Sequence, residues 1–200
     1  MREIKESIST CQLSDALLSL TGFNGVIPDI KPINGNSIIG RVSTVLTDEL
    51  DWGTSLAGIE NTKVGEVLFI KVIGDDAAIW GELTSTTSLE QGLAGTVIYG
   101  ACRDYEDIQD LEYPVFSKSV VPNAGKPLNK GEVGISLDLD GIIINPGDYI
   151  VGDACGVVLI PQNIFDEAMS ALWDITVKEK QIISNIKEGK TLFDIVFCDE

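Results

Sequence analysis

The chain has 200 residues, the size of one domain or two small ones, and 14 Lys plus Arg against 31 Asp plus Glu leave a formal charge of −17. Phosphate contacts need a basic stripe and none is visible, so nucleic acid is not an expected partner. The absence of histidine excludes Ser-His-Asp and Cys-His nucleophile systems, histidine-based zinc sites and imidazole acid–base catalysis together. The 44% hydrophobic content, with 20 glycines and only 7 prolines, fits a globular chain rich in tight turns.

In chain order, Leu13–Leu18 predicts a short helix, with Ser14 placed to cap it and Asp15 in its first turn, broken by Gly22 to Gly25. Ile38–Leu46 reads as a β-run interrupted by Gly40, Ser55–Glu60 as a short helix, and Val67–Val72 as a strand turned at Gly74-Asp75-Asp76. Glu82–Gln91 reads as a helix stopped by Gly92, Gly95–Tyr99 as a buried strand, and Asp104–Leu111 as a short helix. Tyr113–Phe116, with its proline, suits an edge strand. Four short β-runs follow, Gly134–Leu139, Gly141–Ile144, Asp148–Val151 and Gly156–Ile160, in an antiparallel or barrel-like pattern. A long helix over Ile164–Glu188 with Gly189 as its stop closes what reads as a single α/β domain spanning residues 1–200.

Cys11, Cys102, Cys155 and Cys198 are scattered, without a C-x-x-C pair, and no secretory leader is read at the charged N-terminus. The apolar runs fall far short of the roughly 18 residues of a membrane span. A reduced cytoplasmic setting with no membrane partner is the expectation.

One constellation carries chemistry. Gly81-Glu82-Leu83 opens a helix and Arg103-Asp104 follows the next strand. A helix of about ten residues rises roughly 15 Å and a strand of about five returns roughly 17 Å, so the two ends should meet. Backbone N–H groups of a helix start would then face a guanidinium and a carboxylate at the C-terminal edge of a strand, where open α/β sheets bind ligands. Such a group can hold a small carboxylic acid on the N–H groups and Arg103 while Asp104 takes a hard cation. From spacing alone, a plain surface Arg–Asp pair is the other reading.

The long helix adds a second feature: Phe165, Ala168, Leu172, Ile175, Glu179, Ile182 and Ile186 recur at spacings of three and four, so Glu179 interrupts an apolar stripe. A buried, unpaired carboxylate is costly, so Glu179 should reach solvent or meet a partner on a neighbouring subunit. Met169, Trp173 and Val177 widen the apolar face and leave both outcomes open.

Glu82, twenty intervening residues and Arg103-Asp104 together resemble the D/E-x20-R-D signature of the divalent-metal pyruvate aldolases that act on 4-hydroxy-4-methyl-2-oxoglutarate and 4-carboxy-4-hydroxy-2-oxoadipate. These share a fold with the regulator of ribonuclease E activity A. Ser14–Leu17, Ile39–Val45, Gly65–Val67, Gly95–Gly100, Tyr113–Phe116 and Asn145–Asp148 through Gly152-Asp153 to Gly156–Val158 are similar to family blocks in the family's order, covering about residues 10–190.

The resemblance implies a swivelling-type β/β/α fold with a mixed sheet, in a homotrimer or hexamer whose active sites lie between subunits. It implies that Asp104 binds Mg²⁺ or Mn²⁺, that Arg103 grips the pyruvate-like end of a 2-oxo acid, and that the Gly81–Leu83 backbone receives its carboxylate. The Glu82 side chain would order water on the cation, with a longer reach than the Asp of the best-known aldolases. Glu179 is the candidate for the glutamate that a neighbouring C-terminal helix contributes. The implied reaction is retro-aldol release of pyruvate from 4-hydroxy-2-oxo diacids, with oxaloacetate decarboxylation as a side activity. Both reactions leave a pyruvate enolate that a chelated cation stabilises, with water on the cation as proton carrier.

The rival expectation, of a different class, is a non-catalytic regulator that binds an RNA-degrading endonuclease, its acidity matching a basic surface. Asp104 favours the enzyme, because a binder has no need of it. No G-x-G-x-x-G loop supports a methyltransferase.

Several other residues have simpler readings. Asp138–Gly141 resembles a calcium loop but would place Tyr149 where a bidentate acid is required, so it reads as a hairpin turn. Pro146-Gly147-Asp148 and Asp153 read as turn residues, Lys126 as a loop lysine, and Cys102 and Trp80 as core packing.

Overall fold

The structure is a computed structural model and describes residues 8–197; Cys198 lies outside them. Helix α1 (Thr10–Thr21) precedes the short strands β1 (Val26–Ile27) and β2 (Lys31–Pro32) and the long β3 (Ile38–Asp48). Then come α2 (Gly53–Asn61), β4 (Val67–Ile73), β5 (Ala78–Trp80), α3 (Glu82–Glu90), β6 (Gly95–Cys102), α4 (Tyr105–Gln109) and β7 (Val115–Val120). Strands β8 (Glu132–Val133), β9 (Leu137–Leu139), β10 (Ile142–Ile144), β11 (Tyr149–Asp153) and β12 (Gly156–Ile160) lead to α5 (Phe165–Lys187) and α6 (Leu192–Phe197).

The main sheet runs β1-β12-β11-β3-β4-β6-β7-β2, with β5 on β6 and β8 on β3. β3, β4, β6 and β7 are parallel, whereas β11, β12 and β1 extend the sheet antiparallel from β3. Strand β4 explains the layering, because its apolar run alternates between two cores as a strand buried on both faces must. Val67 and Phe69 face one cluster, which strands β1, β3, β6, β7, β9, β10, β11 and β12 close in a barrel-like wrap. Leu68, Ile70 and Val72 face a second cluster, against Ile59 of α2 and Ile108 of α4. A third cluster joins α1 (Leu13, Ala16, Leu17) and α5 (Ala168, Leu172) to Val151 and Val158.

Several boundaries move for identifiable reasons. Ser9, not Ser14, caps α1 by accepting the Gln12 N–H, and Ser14 sits inside the helix. Gly40 does not interrupt β3: a Cβ there would lie 2.8 Å from the Gly65 carbonyl oxygen, so the glycine permits a close crossing within the strand. β7 begins at Val115, just after Pro114, and is covered by the two-residue β2 rather than forming the edge. Asp138 Oδ1 accepts the Gly141 N–H in the β9–β10 hairpin, the turn expected there. Asp148 likewise closes its own turn on the Asn145 N–H.

Candidate active site

The helix start and the Arg103-Asp104 pair do meet, for a reason different from the length match. β6 has eight residues, a run of roughly 26 Å, against about 14 Å for the nine residues of α3. The meeting point is set by β5, whose three residues are too few to read from sequence and which pairs in parallel with the end of β6 at Ala78↔Ala101 and Trp80↔Cys102. The Arg103 N–H donates to the Trp80 carbonyl at 2.9 Å, so Gly81 emerges beside Arg103.

Gly81 is wanted here for space. Its backbone is extended (φ −166°), which any residue can adopt, but a Cβ would fall 2.3 Å from Asp104 Oδ2. Its N–H donates to Thr84 Oγ1 at 3.0 Å, and its carbonyl accepts from the Ser85 N–H, Ser85 Oγ and Thr84 Oγ1. Ser85 Oγ also accepts the Trp80 Nε1–H at 2.8 Å, and Trp80 is only 2% exposed. The helix start therefore rests on a fully bonded polar floor inside the second core.

Asp104 closes the other side. It holds a left-handed backbone (φ 57°, ψ 47°), a conformation that Asp tolerates better than most residues and that clusters at functional sites. Its Oδ2 accepts the Glu82 N–H at 3.1 Å and lies 3.5 Å from Arg103 Nε. Both side chains stay about one-third to two-fifths exposed, open toward solvent. They line a pocket of about 100 Å³ with Trp52, Ile79, Trp80, Gly81, Leu83 and Ala124 among its walls. Asp104 thus touches both an N–H of the helix start and the guanidinium, and any cation or anion entering there must meet all three.

The Glu82 side chain is exposed at the rim. Among the described residues, no group of three or more His, Cys, Asp or Glu side chains converges as a metal cage. What the site presents is one carboxylate beside a space that glycine keeps clear.

Glu179 lies elsewhere in this chain. It is half-buried on the inner face of α5 and accepts a hydrogen bond from Gln12 Nε2 of α1, while Gln12 Oε1 accepts from Thr176 Oγ1. The stripe through Ala168 and Leu172 is indeed the buried face, and Trp173 and Val177 point outward.

Cys102 is buried at the strand end, and burial pushes its thiol up to about 11, as a packing residue requires. Asp153 holds a turn by accepting the Cys155 N–H, and also anchors the Thr10 N–H and hydroxyl. Lys126 is an exposed loop residue.

Sequence reasoning missed Trp52 and Ala124 as pocket walls, and with them Asp51. Asp51 is 3% exposed, and its carboxylate accepts from the Gly53, Leu128, Asn129 and Lys130 N–H groups and from Thr54 Oγ1. Burial works against its charge, but these donors, Lys130 and Thr54 foremost, hold the carboxyl at about 2. It clamps the segment after Ala124 to the start of α2, next to Trp52. An Asp two residues before a helix that opens Gly-Thr is the local signal that would have found it.

Residues 10–159 match the RraA-like (Aldolase/RraA) family model, and the chain belongs to that family. It is 37% identical over 196 residues to the uncharacterized protein MJ0644 of Methanocaldococcus jannaschii, covering 96% of this chain and 92% of that one. It is 32% identical over 186 residues to a protein of Halalkalibacterium halodurans named putative 4-hydroxy-4-methyl-2-oxoglutarate aldolase, covering 90% and 87%. Among solved structures, the RNA-processing inhibitor RraA from Thermus thermophilus superposes with a TM-score of 0.66 at 27% identity, covering 74% of this chain and 92% of that one.

Proposed function

We propose that the protein is a divalent-cation-dependent aldolase that releases pyruvate from 4-hydroxy-2-oxo diacids and, as a side activity, decarboxylates oxaloacetate. The observation that carries this reading is the junction of Asp104 Oδ2 with the Glu82 N–H and Arg103 Nε. The aldolase name of the Halalkalibacterium relative supports it.

In this reading Arg103 binds the carboxylate of the 2-oxo acid through charge-assisted hydrogen bonds, aided by the N–H groups at the start of α3. The residues fit Mg²⁺ or Mn²⁺, because a small hard cation that keeps most of its waters needs only one or two protein carboxylates, and Asp104 offers one. When bound, the cation supplies Lewis-acid stabilisation to the enolate left by carbon–carbon cleavage. Glu82, at the rim, orders water beside the reacting carbons. Trp52 and Leu83 add apolar surface beside the charged pair.

The same reading has the protein working as a homotrimer or hexamer, with Glu179 reaching a neighbour's site. Its support is the exposed apolar surface of the C-terminal helices, where Trp173 and Val177 of α5 and Phe193 and Phe197 of α6 face outward. The second reading, a non-catalytic regulator that binds a basic endonuclease surface, is favoured by the net charge of −17 and by the structural neighbour's description as an RNA-processing inhibitor.

Coupled detection of pyruvate from oxaloacetate and from 4-hydroxy-4-methyl-2-oxoglutarate separates the two. The aldolase forms pyruvate with Mg²⁺ and loses the activity in EDTA. A regulator forms none above the protein-free rate.

A further inference from the structure

Cys11 and Cys155 are far apart in the chain, yet the fold brings both into the wall of one cleft. Cys11 lies in the first turn of α1 and Cys155 in the turn between β11 and β12. One carboxylate fixes the backbone beside each: Asp153 accepts the Thr10 N–H at 2.9 Å, the Thr10 hydroxyl at 2.6 Å and the Cys155 N–H at 2.8 Å. Both thiols are exposed, unlike that of Cys102, and both line a cleft of about 340 Å³ whose wall includes Lys31. The pair is therefore preorganised and reachable by a small molecule, in a cleft whose charged walls are Lys31, Asp15 and Asp29.

We propose that Cys11 and Cys155 form a dithiol site that reacts with small-molecule disulfides of the glutathione type and closes into an intrachain disulfide between α1 and the β11–β12 turn. The Cys155 thiol is pushed up from its ordinary value, by Cys11 first and then by the charge of Asp153. Cys11, in the first turn of α1, is the sulfur that attacks first. Its thiolate forms a bond to one sulfur of the reagent while the reagent's S–S bond breaks, and one reagent thiolate leaves. Cys155, deprotonated to solvent, then attacks the Cys11 sulfur and expels the second reagent thiolate. The two cysteines are oxidised by two electrons, the reagent is reduced to two thiols, and the two protons lost by the cysteines balance the two gained. Gln12, the neighbour of Cys11, holds Glu179 of α5, so the bond would lock the support on which the C-terminal helix rests.

The test is incubation of the reduced, folded protein with oxidised glutathione, followed by intact mass and peptide mapping without reductant. The wild type should lose two hydrogens, join the Cys11 and Cys155 peptides, and gain several degrees in Tm, because the bond closes a long loop. Cys155→Ser should stop at a single glutathione adduct on Cys11. A wild type that retains glutathione without an internal bond, that does not react, or that bonds through Cys102, Cys198 or a second chain would overturn the proposal.

Discussion

Asp104 combines a left-handed backbone with a carboxylate oxygen held between the Glu82 N–H and Arg103 Nε, so its substitutions separate local geometry from charge. Asn tolerates the same backbone region, and Asp104→Asn should fold with Tm nearly unchanged while pyruvate formation falls by about 10²-fold or more. Gly81→Ala probes the same junction from the other side. The added methyl meets the Asp104 carboxylate, so the carboxylate must leave the Glu82 N–H, and kcat should drop by at least about 10-fold with secondary structure intact by circular dichroism.

Asp51 belongs to stability rather than chemistry. Its carboxyl is lowered from 3.8 to about 2 in the folded chain, so its contribution is complete above about pH 4 and is lost as the pH falls toward 2. Asp51→Asn should destabilise the fold by about 2 kcal/mol or more at pH 7 in urea titrations, and the difference from wild type should shrink below pH 4.

At the scale of elements, the site depends on one that sequence reading does not see. The β4 run and the α5 stripe are legible because each repeats its pattern over several pleats or turns, and α3 because Gly92 marks its end. Strand β5 is not, since three residues hold less than two periods, although Trp80 reads correctly as core. The two-residue strands β1, β2 and β8 are hidden for the same reason, and α6 is only six residues long.

Arg103, Asp104 and the helix start were legible as a spacing. The walls Trp52 and Ala124, and the shared cleft of Cys11 and Cys155, were not, because tertiary pairing alone creates them. Glu179 shows how far the α5 pattern reaches: it marks the inner face, while the partner it meets in its own chain is Gln12. Glu179→Gln leaves a side chain that can still bond to Gln12, and should hold Tm within a few degrees. If Glu179 serves a neighbouring subunit's site, kcat should fall by 10-fold or more; a purely structural role leaves it unchanged.

For the whole molecule, strong acidity and exposed apolar helices pull in opposite directions. A charge of −17 opposes indiscriminate association, while Phe193 at 67% exposure and Phe197 at 70% are unusual for a surface that stays in water. If the protein assembles through this surface, Phe193→Ser combined with Phe197→Ser should shift it to smaller species by light scattering without lowering helix content. No described helix is long and apolar enough to cross a membrane.

The most direct test of the account is exchange of the pyruvate methyl protons with D₂O, followed by proton NMR, since exchange requires the enolate without any choice of aldol partner. The account predicts exchange with Mg²⁺ or Mn²⁺, abolished by EDTA and by Asp104→Asn. Exchange that persists in the Asp104 variant, or no exchange by the wild type with either cation, would contradict it.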